Sequence, residues 1–491
     1  MTNQRARTSR EQWGSRFGFL MAMVGAMVGA GNIWRLPYVT GINGGGGFLL
    51  IYLLLLYLIA IPGLMAETLL GRYTNRGVIG SVRQVAGPGG WTGVAVVVLV
   101  VNIALMSYYA PILGWILYYV YHSILGTFMQ PGFNPLVFWT SYTNATVLVI
   151  ATHTIAVGLV AIVLLFGIRD GIERIVRWLF PALLVALLAV AIRSLTLPGA
   201  LSGVRYLFTP RIEFLLRPAT WIGALGQALF STGLGWGIAL TYGSYLRDHD
   251  DVALGGGLFT ALGNTSIGLL ALLAVFPAVF AFGLQPTAGS SLTFISLTYV
   301  FGQMAGGYFW AIVFYLGFFF AAFTSGLAIT EVGVTTLTEE TRFGRNTVVV
   351  LFSGAIWLVG LPSAYSVDVL NLMDFIFGTW GLPVAALLVM LVVGWKLGSD
   401  PGLGLEWVRL VELNRSTDLY VGRWWSVIVQ FVIPPVIALI VVYYVISNLM
   451  SHPTQTVGGV VLIGAIILVS VLGMAVLERP GADEHANGGG Q

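Results

Sequence analysis

Two glycine-broken hydrophobic segments, about two hundred residues apart, constrain this chain more than any other feature. The first reads Gly25-Ala26-Met27-Val28-Gly29-Ala30-Gly31-Asn32, and the second Phe230-Ser231-Thr232-Gly233-Leu234-Gly235-Trp236-Gly237. Each lies inside a stretch long and apolar enough to cross a bilayer, where an unsatisfied backbone group costs several kcal/mol. Unwound backbone is tolerated at that depth only where it is buried in protein or lines a cavity. A matched pair of such breaks points to the central binding site of a membrane carrier.

Composition agrees with a membrane fold. Of 491 residues, 57% are hydrophobic and 9% charged, with a mean hydropathy of +0.89. Soluble domains carry about 25% charged residues, so the expected class is an all-α polytopic membrane protein. The 63 glycines suit close helix packing in lipid. The absence of cysteine excludes disulfides, thiolate metal sites and thiol nucleophiles. The five histidines are scattered with no nucleophile–base pair, so no enzyme is expected. A net charge of +3 gives no sign of nucleic-acid binding. The segment from Thr2 to Trp13 is polar and basic and carries no small-residue cleavage site, so no separable signal peptide is expected.

At about 20 apolar residues per crossing, twelve spans are predicted near 15–40, 47–71, 92–123, 147–167, 173–194, 220–245, 253–283, 306–338, 346–361, 370–396, 424–448 and 456–477. The first, sixth, eighth and tenth carry polar or glycine-rich interruptions. Arginines such as Arg5, Arg7, Arg10, Arg72, Arg76, Arg83, Arg169, Arg174 and Arg345 collect on one side, whereas 124–146, 284–305 and 449–455 hold no Lys or Arg. The positive-inside rule then places both termini in the cytoplasm, and the compact loops suit a bacterial or archaeal inner (cell) membrane. The expected organisation is a cytoplasmic tail (1–14), a five-helix repeat (15–195), an extracellular loop (196–219), an inverted second repeat (220–396), a cytoplasmic loop (397–423), two further helices (424–478) and a disordered tail (479–491). Spans one and six hold the same place in groups of five, and an odd number of crossings inverts one group relative to the other.

Unwinding frees carbonyl oxygens, which are hard ligands for a small cation, and exposes N–H groups at the next half-helix, which suit a carboxylate. Asn32, Ser231, Asn264, Thr324 and Ser325 add side-chain oxygens from spans one, six, seven and eight.

Trp13, Arg16-Phe17-Gly18, Gly29-Ala30-Gly31-Asn32-Ile33-Trp34-Arg35, Gly44-Gly45-Gly46-Gly47-Phe48 and Gly71-Arg72 resemble the first two helices of neurotransmitter:sodium symporters. The likeness continues through Tyr108-Tyr109, Gly226-Gln227, Thr241-Tyr242-Gly243-Ser244-Tyr245, Phe276-Pro277, Ala321 to Ser325 and Met373-Asp374-Phe375. It implies twelve helices in a 5+5 inverted-repeat, leucine-transporter-type fold with helices 1 and 6 unwound. It implies a sodium-coupled symporter for a neutral, aliphatic amino acid working by alternating access.

The resemblance also implies site residues. One sodium would meet the carbonyls of Gly25, Val28 and Ala321 and the hydroxyls of Thr324 and Ser325. A second would meet the Met27 carbonyl, Asn32, Ser231, Asn264 and the substrate carboxylate. The carboxylate would also meet Ala30, Gly31 and the Tyr109 hydroxyl, and the ammonium the carbonyls of Met27, Phe230 and Ser231. The side-chain pocket would be lined by Ala26, Leu105, Tyr109, Phe230, Gly233, Trp236, Ser325 and Ile329. Monoamine carriers of the family place an aspartate at the position of Gly29. A glycine there leaves room and no compensating charge, so the substrate brings its own carboxylate. Arg35 with Asp374, and Arg10 with Glu339, Trp13, Tyr245 and Ser244, match the two gates. Tyr52, Gln227, Ser231 and Asn264 match four chloride contacts. The fifth position reads Gly268 and span seven holds no acid, which predicts chloride assistance or an unusual charge balance. Glu67 and Glu331 are read as structural. The alternatives are a proton-coupled or exchange carrier on this scaffold and a non-transporting sensor or channel-like member.

Overall fold

The computed structural model describes residues 11–285, 292–397, 404–415, 417, 419–451 and 453–478. The expected tail at 479–491 and the gate residue Arg10 lie outside them. The helices are α1 (Arg16–Met27), α2 (Gly31–Ile42), α3 (Gly46–Thr74), α4 (Val78–Ala86), α5 (Gly90–Ile124) and α6 (Pro135–Asn144). Next come α7 (Thr146–Leu165), α8 (Ile168–Leu195), α9 (Ala200–Phe208), α10 (Pro218–Thr232), α11 (Ile238–Gly243) and α12 (Val252–Ala281). The chain continues through α13 (Leu292–Gln303), α14 (Gly307–Glu340), α15 (Arg345–Tyr365), α16 (Val367–Lys396), α17 (Trp424–Met450) and α18 (Pro453–Leu477). Among the described residues, ten helices can each cross a membrane and α1 with α2 form one span bent by 45°. The pair α10 and α11 supplies the sixth span, which completes the predicted twelve.

Both breaks fall where the glycines predict. Helix α1 ends at Met27, Val28 leaves helical geometry at ψ 75°, and α2 restarts at Gly31. In the sixth span, Gly233, Gly235 and Gly237 adopt φ of 66°, 87° and 77°. That left-handed backbone is open to glycine without a Cβ penalty. The polar or glycine-rich interruptions of the eighth and tenth spans do not break their helices. Helix α14 runs unbroken for 34 residues, because hydroxyls such as Thr324 Oγ1 bond back to the Phe320 carbonyl at 3.1 Å and leave the helix intact. In α16 the glycine-rich stretch Asp374–Gly381 is absorbed as widened π-turns. The connections hold short helices (α4, α6, α9 and α13) that hydrophobic patterning did not single out.

Helices α5 and α14 form the centre, with 83% and 72% of their most apolar windows buried, whereas α17 and α18 are peripheral at 33% and 11%. Two pairs of hydrogen bonds between spans are related by a shift of five spans. Thr324 of span eight bonds the Gly25 carbonyl of span one at 2.8 Å, and Asn102 of span three bonds the Trp236 carbonyl of span six at 3.0 Å. Asn32 of span one meets Asn264 of span seven at 2.9 Å, and Ser231 of span six meets Tyr52 of span two at 3.1 Å. Each pair maps onto the other when the repeats are exchanged, which is the signature of the inverted repeat.

At the base of the bundle two carboxylates cap each other's helix. Glu11 accepts the Ile168 and Arg169 N–H groups that open α8, at 2.7 and 2.9 Å. Glu173 of α8 accepts Gly14 N–H at 2.7 Å and the Ser15 hydroxyl at 2.9 Å, just before α1, and pairs with Arg177 at 3.0 Å. Anionic oxygens at helix N-termini meet both unsatisfied N–H groups and the positive dipole end.

Candidate ion and substrate site

Where α1 ends, five oxygens from two helices converge. Thr324 Oγ1 lies 2.8 Å from the Gly25 carbonyl and 3.0 Å from that of Ala321, while Ser325 Oγ lies 2.7 Å from the Ala26 carbonyl and 3.4 Å from that of Gly25. Val28, wholly buried, stands at the first non-helical position beside them. All of these donors are neutral, hard oxygens, the set that suits an alkali cation. Both hydroxyls can rotate their protons away and present lone pairs.

A second polar cluster joins spans one, two, six and seven. Asn32 donates to the Asn264 side-chain oxygen at 2.9 Å, and Ser231 Oγ donates to Asn32 Oδ1 at 2.8 Å and meets Asn264 at 3.1 Å. Tyr52 reaches Ser231 at 3.1 Å. Gln227 is not part of this group. Its amide donates to the Gly31 carbonyl at 2.8 Å and its oxygen accepts from Arg35 at 3.0 Å. Three of the four residues matched to chloride are therefore together and the fourth is turned to Arg35. A Cβ at Gly268 would lie 3.0 Å from Leu36 Cδ2 and 3.5 Å from the Asn32 amide nitrogen.

Between the breaks lies a narrow, almost closed chamber. Ala26, Met27, Gly29, Ala30, Gly31, Tyr109, Phe230, Gly233, Trp236, Ile238, Ser325 and Ile329 line it; Gly29 and Ile238 are additions to the predicted substrate contacts. Two predicted liners lie outside it. Leu105 is fully buried in packing one turn before Tyr109, and Ser231 turns to the amide cluster. Ile238 was missed because it lies beyond the glycines, although it is the first residue of the resumed helix and so faces the break. The Tyr109 hydroxyl accepts Ala30 N–H at 3.2 Å and donates to the Ala322 carbonyl at 3.1 Å. Gly29 corrects the expectation of spare room: an added Cβ would lie 2.9 Å from the Tyr109 oxygen and overlap Ser325 Oγ. Glycine is required there because two hydroxyls already fill the space.

The ends of the cavity differ. Toward Arg35, Phe230 separates it from a wider vestibule that Arg35, Tyr38, Asp374, Trp380 and Tyr444 help to line. Arg35 and Asp374 share this vestibule, but among the described residues they form no ion pair. Arg35 bonds Gln227 and lies 4.7 Å over the Phe230 ring, and Asp374 accepts from Tyr108 at 2.9 Å. Toward Trp13 the bundle is sealed. The buried indole donates to the Tyr242 carbonyl at 3.0 Å and packs edge-on against Tyr242 and Tyr245. Glu339, matched to Arg10, accepts Gly77 N–H at 2.8 Å. A pair that sequence reasoning missed anchors this end: Arg345 clamps fully buried Glu331 with two bonds of 2.8 and 2.7 Å, and Tyr245 and Thr335 donate to the same carboxylate. Glu67 is structural in a different way, accepting Gly235 N–H at 2.8 Å and so holding the sixth-span break.

A twelve-span bundle with two broken helices around a neutral-walled chamber is the architecture of a membrane carrier. A family model described as the Sodium:neurotransmitter symporter family matches residues 10–130 and 143–477. An uncharacterized sodium-dependent transporter of Bacillus subtilis, YhdH, is 32% identical over 461 residues, covering 90% of this chain and 98% of the relative. The sodium-dependent neutral amino acid transporter B(0)AT2 of Bos taurus is 32% identical over 305 residues, covering 56% of this chain and 41% of that protein. The crystal structure of MhsT in complex with L-phenylalanine superimposes with a TM-score of 0.81 at 32% identity, covering 88% of this chain and 99% of that one. The chain belongs to the sodium:neurotransmitter symporter family. It is a multi-span, sodium-dependent membrane transporter and not an enzyme.

Proposed function

We propose that this transporter is a symporter that uses two sodium ions to import a neutral amino acid with a small or medium aliphatic side chain, by alternating access across the inner membrane. Both termini then lie in the cytoplasm, with the Trp13 end inward and the Arg35 end outward. The observation that carries this reading is the convergence of the Gly25 and Ala321 carbonyls with the Thr324 and Ser325 hydroxyls one turn from the cavity. Those oxygens would hold one ion with Val28. The Met27 carbonyl, Asn32, Ser231 and Asn264 would hold the other, completed by the substrate carboxylate. That shared ligand makes substrate binding and ion binding one event. Ala30, Gly31 and Tyr109 would receive the same carboxylate. The uncharged walls disfavour a charged side chain, since an unpaired buried charge is costly. The names of B(0)AT2 and of the MhsT complex, which specify neutral amino acids and L-phenylalanine, support an amino-acid substrate. Arg35 with Asp374 would gate one end, and Arg10, Glu339, Trp13 and Tyr245 the other. Chloride assistance through Tyr52, Ser231 and Asn264 would require Gln227 to leave Arg35.

Each charge moved inward across 100 mV contributes about 2.3 kcal/mol, so two ions with a zwitterion suffice for steep accumulation. The test is Thr324→Val combined with Ser325→Ala. It should abolish amino-acid stabilisation of the purified protein in sodium, measured by thermal unfolding against potassium, while the unliganded melting profile persists. Sodium-stimulated binding that survived intact would refute the assignment.

A further inference from the structure

Three of the residues that line the chamber are glycines, and the space beside each differs. At Gly29 the place of a Cβ is already taken by Ser325 Oγ, with the Tyr109 oxygen 2.9 Å away. At Gly31 it lies 3.0 Å from Phe230 Cδ1, tighter than ordinary carbon contact. Only at Gly233 is the place free, and its nearest neighbours are Ile238 Cδ1 at 3.5 Å and Trp236 Cγ at 4.0 Å. Among the lining glycines, room is therefore left at Gly233 alone, and the atom that bounds it most closely is the terminal methyl of Ile238. That methyl is held where it is. Ile238 is buried and opens α11. Gly237, just before it, has φ 77°, and a Cβ there would lie 2.9 Å from Val78 Cγ2 and 3.1 Å from Val332 Cγ1, so this backbone is wedged between two side chains. Asn102 donates to the Trp236 carbonyl at 3.0 Å, and Thr241 N–H donates to the Gly237 carbonyl at 2.9 Å, which closes the first turn of the helix. A β-branched residue in a helix keeps essentially one χ1 rotamer, so the Ile238 side chain has little freedom beyond χ2.

We infer that Ile238 is a specificity-determining residue whose terminal methyl acts as a stop, fixing how long a substrate side chain the chamber accepts. With the substrate carboxylate at Ala30, Gly31 and Tyr109, no room is left beside Gly29 or Gly31, so the side chain is directed to the Gly233 corner. An aliphatic chain gains about fourfold in affinity for each methylene it buries there. Once it meets the stop, overpacking reverses the gain by about tenfold. The inference rests on the chamber being an amino-acid site, and the experiment separates the two ideas. The full-length protein in sodium is titrated with the unbranched series alanine, 2-aminobutyrate, norvaline and norleucine, wild type beside Ile238→Val and Ile238→Ala. Ile238→Val removes the terminal methyl alone and keeps the β-branch, so it is the variant least able to disturb folding. In the wild type, affinity should drop about tenfold at one step of the series. In Ile238→Val that drop should move one methylene further along, and in Ile238→Ala at least as far. A wild-type series with no drop overturns the inference. So does a drop that stays at the same ligand in the variants, or a common loss for all four ligands, which is what a merely structural role would give. Failure of every amino acid to bind the folded wild type in sodium would instead bring down the amino-acid reading itself, and this inference with it.

Discussion

At the residue scale, the chamber is shaped by where a Cβ cannot go. Gly29 faces the hydroxyls of Tyr109 and Ser325 with no room for another atom. Overpacking a tight interior costs about 1–3 kcal/mol, so Gly29→Ala should weaken sodium-stimulated amino-acid binding about ten- to a hundredfold. Gly29→Asp should not create monoamine binding, because the carboxylate would first have to displace both hydroxyls. Equilibrium binding of an amino acid and of a monoamine to both variants checks this. The Glu331–Arg345 clamp makes a separate point. Glu331 is wholly buried while Arg345 keeps some contact with water, and removing one partner of a buried pair leaves the other charge stranded. Arg345→Ala should cost about 3 kcal/mol and lower the melting temperature, and adding Glu331→Gln should recover much of the loss.

At the element scale, the breaks divide labour among glycines that look alike in the sequence. Gly235 has φ 87°, and a Cβ would strike the Ala386 backbone nitrogen at 2.6 Å, whereas Gly233 at φ 66° has open space. A left-handed conformation costs an L-residue about 1–2 kcal/mol. Gly233→Ala should therefore lose roughly that much and still fold, while Gly235→Ala should lose clearly more and express poorly; thermal unfolding of the pair measures the difference. The positions of both breaks were legible because glycine density inside an over-long apolar run is a local signal. The eighth span carries polar residues yet stays unbroken for the converse reason. Thr324 and Ser325 are polar on paper, but hydroxyls that bond to carbonyls of their own helix need no break. Short helices in the connections, such as α9, lacked the length that makes an apolar pattern stand out.

At the scale of the whole molecule, the sealed Trp13 end and the vestibule at the Arg35 end define two routes to one chamber. The natural chain has no cysteine, so a single Ile238→Cys reports access cleanly. Adding Trp13→Ala should raise its labelling by a membrane-impermeant thiol reagent from the Trp13 side at least severalfold, because the indole and its bond to the Tyr242 carbonyl are lost. Labelling from the Arg35 side should change much less. The oxygen clusters could be expected from the sequence because the motifs that carry Asn32, Ser231, Asn264, Thr324 and Ser325 resemble those of the family. Contacts such as Arg345 with Glu331, Glu67 with Gly235 and Gln227 with Arg35 could not, since they depend on rotamers chosen across helix faces.

The reciprocal capping of Glu11 and Glu173 has a mechanical consequence. Withdrawing α1 from the bundle strips Glu173 of the Gly14 and Ser15 donors, and the same movement pulls Glu11 off the first two N–H groups of α8. The chain before α1 and the start of α8 thus each hold the other through a carboxylate. The base of the molecule is fastened like a double-tongued buckle, with one bond set running in each direction between them.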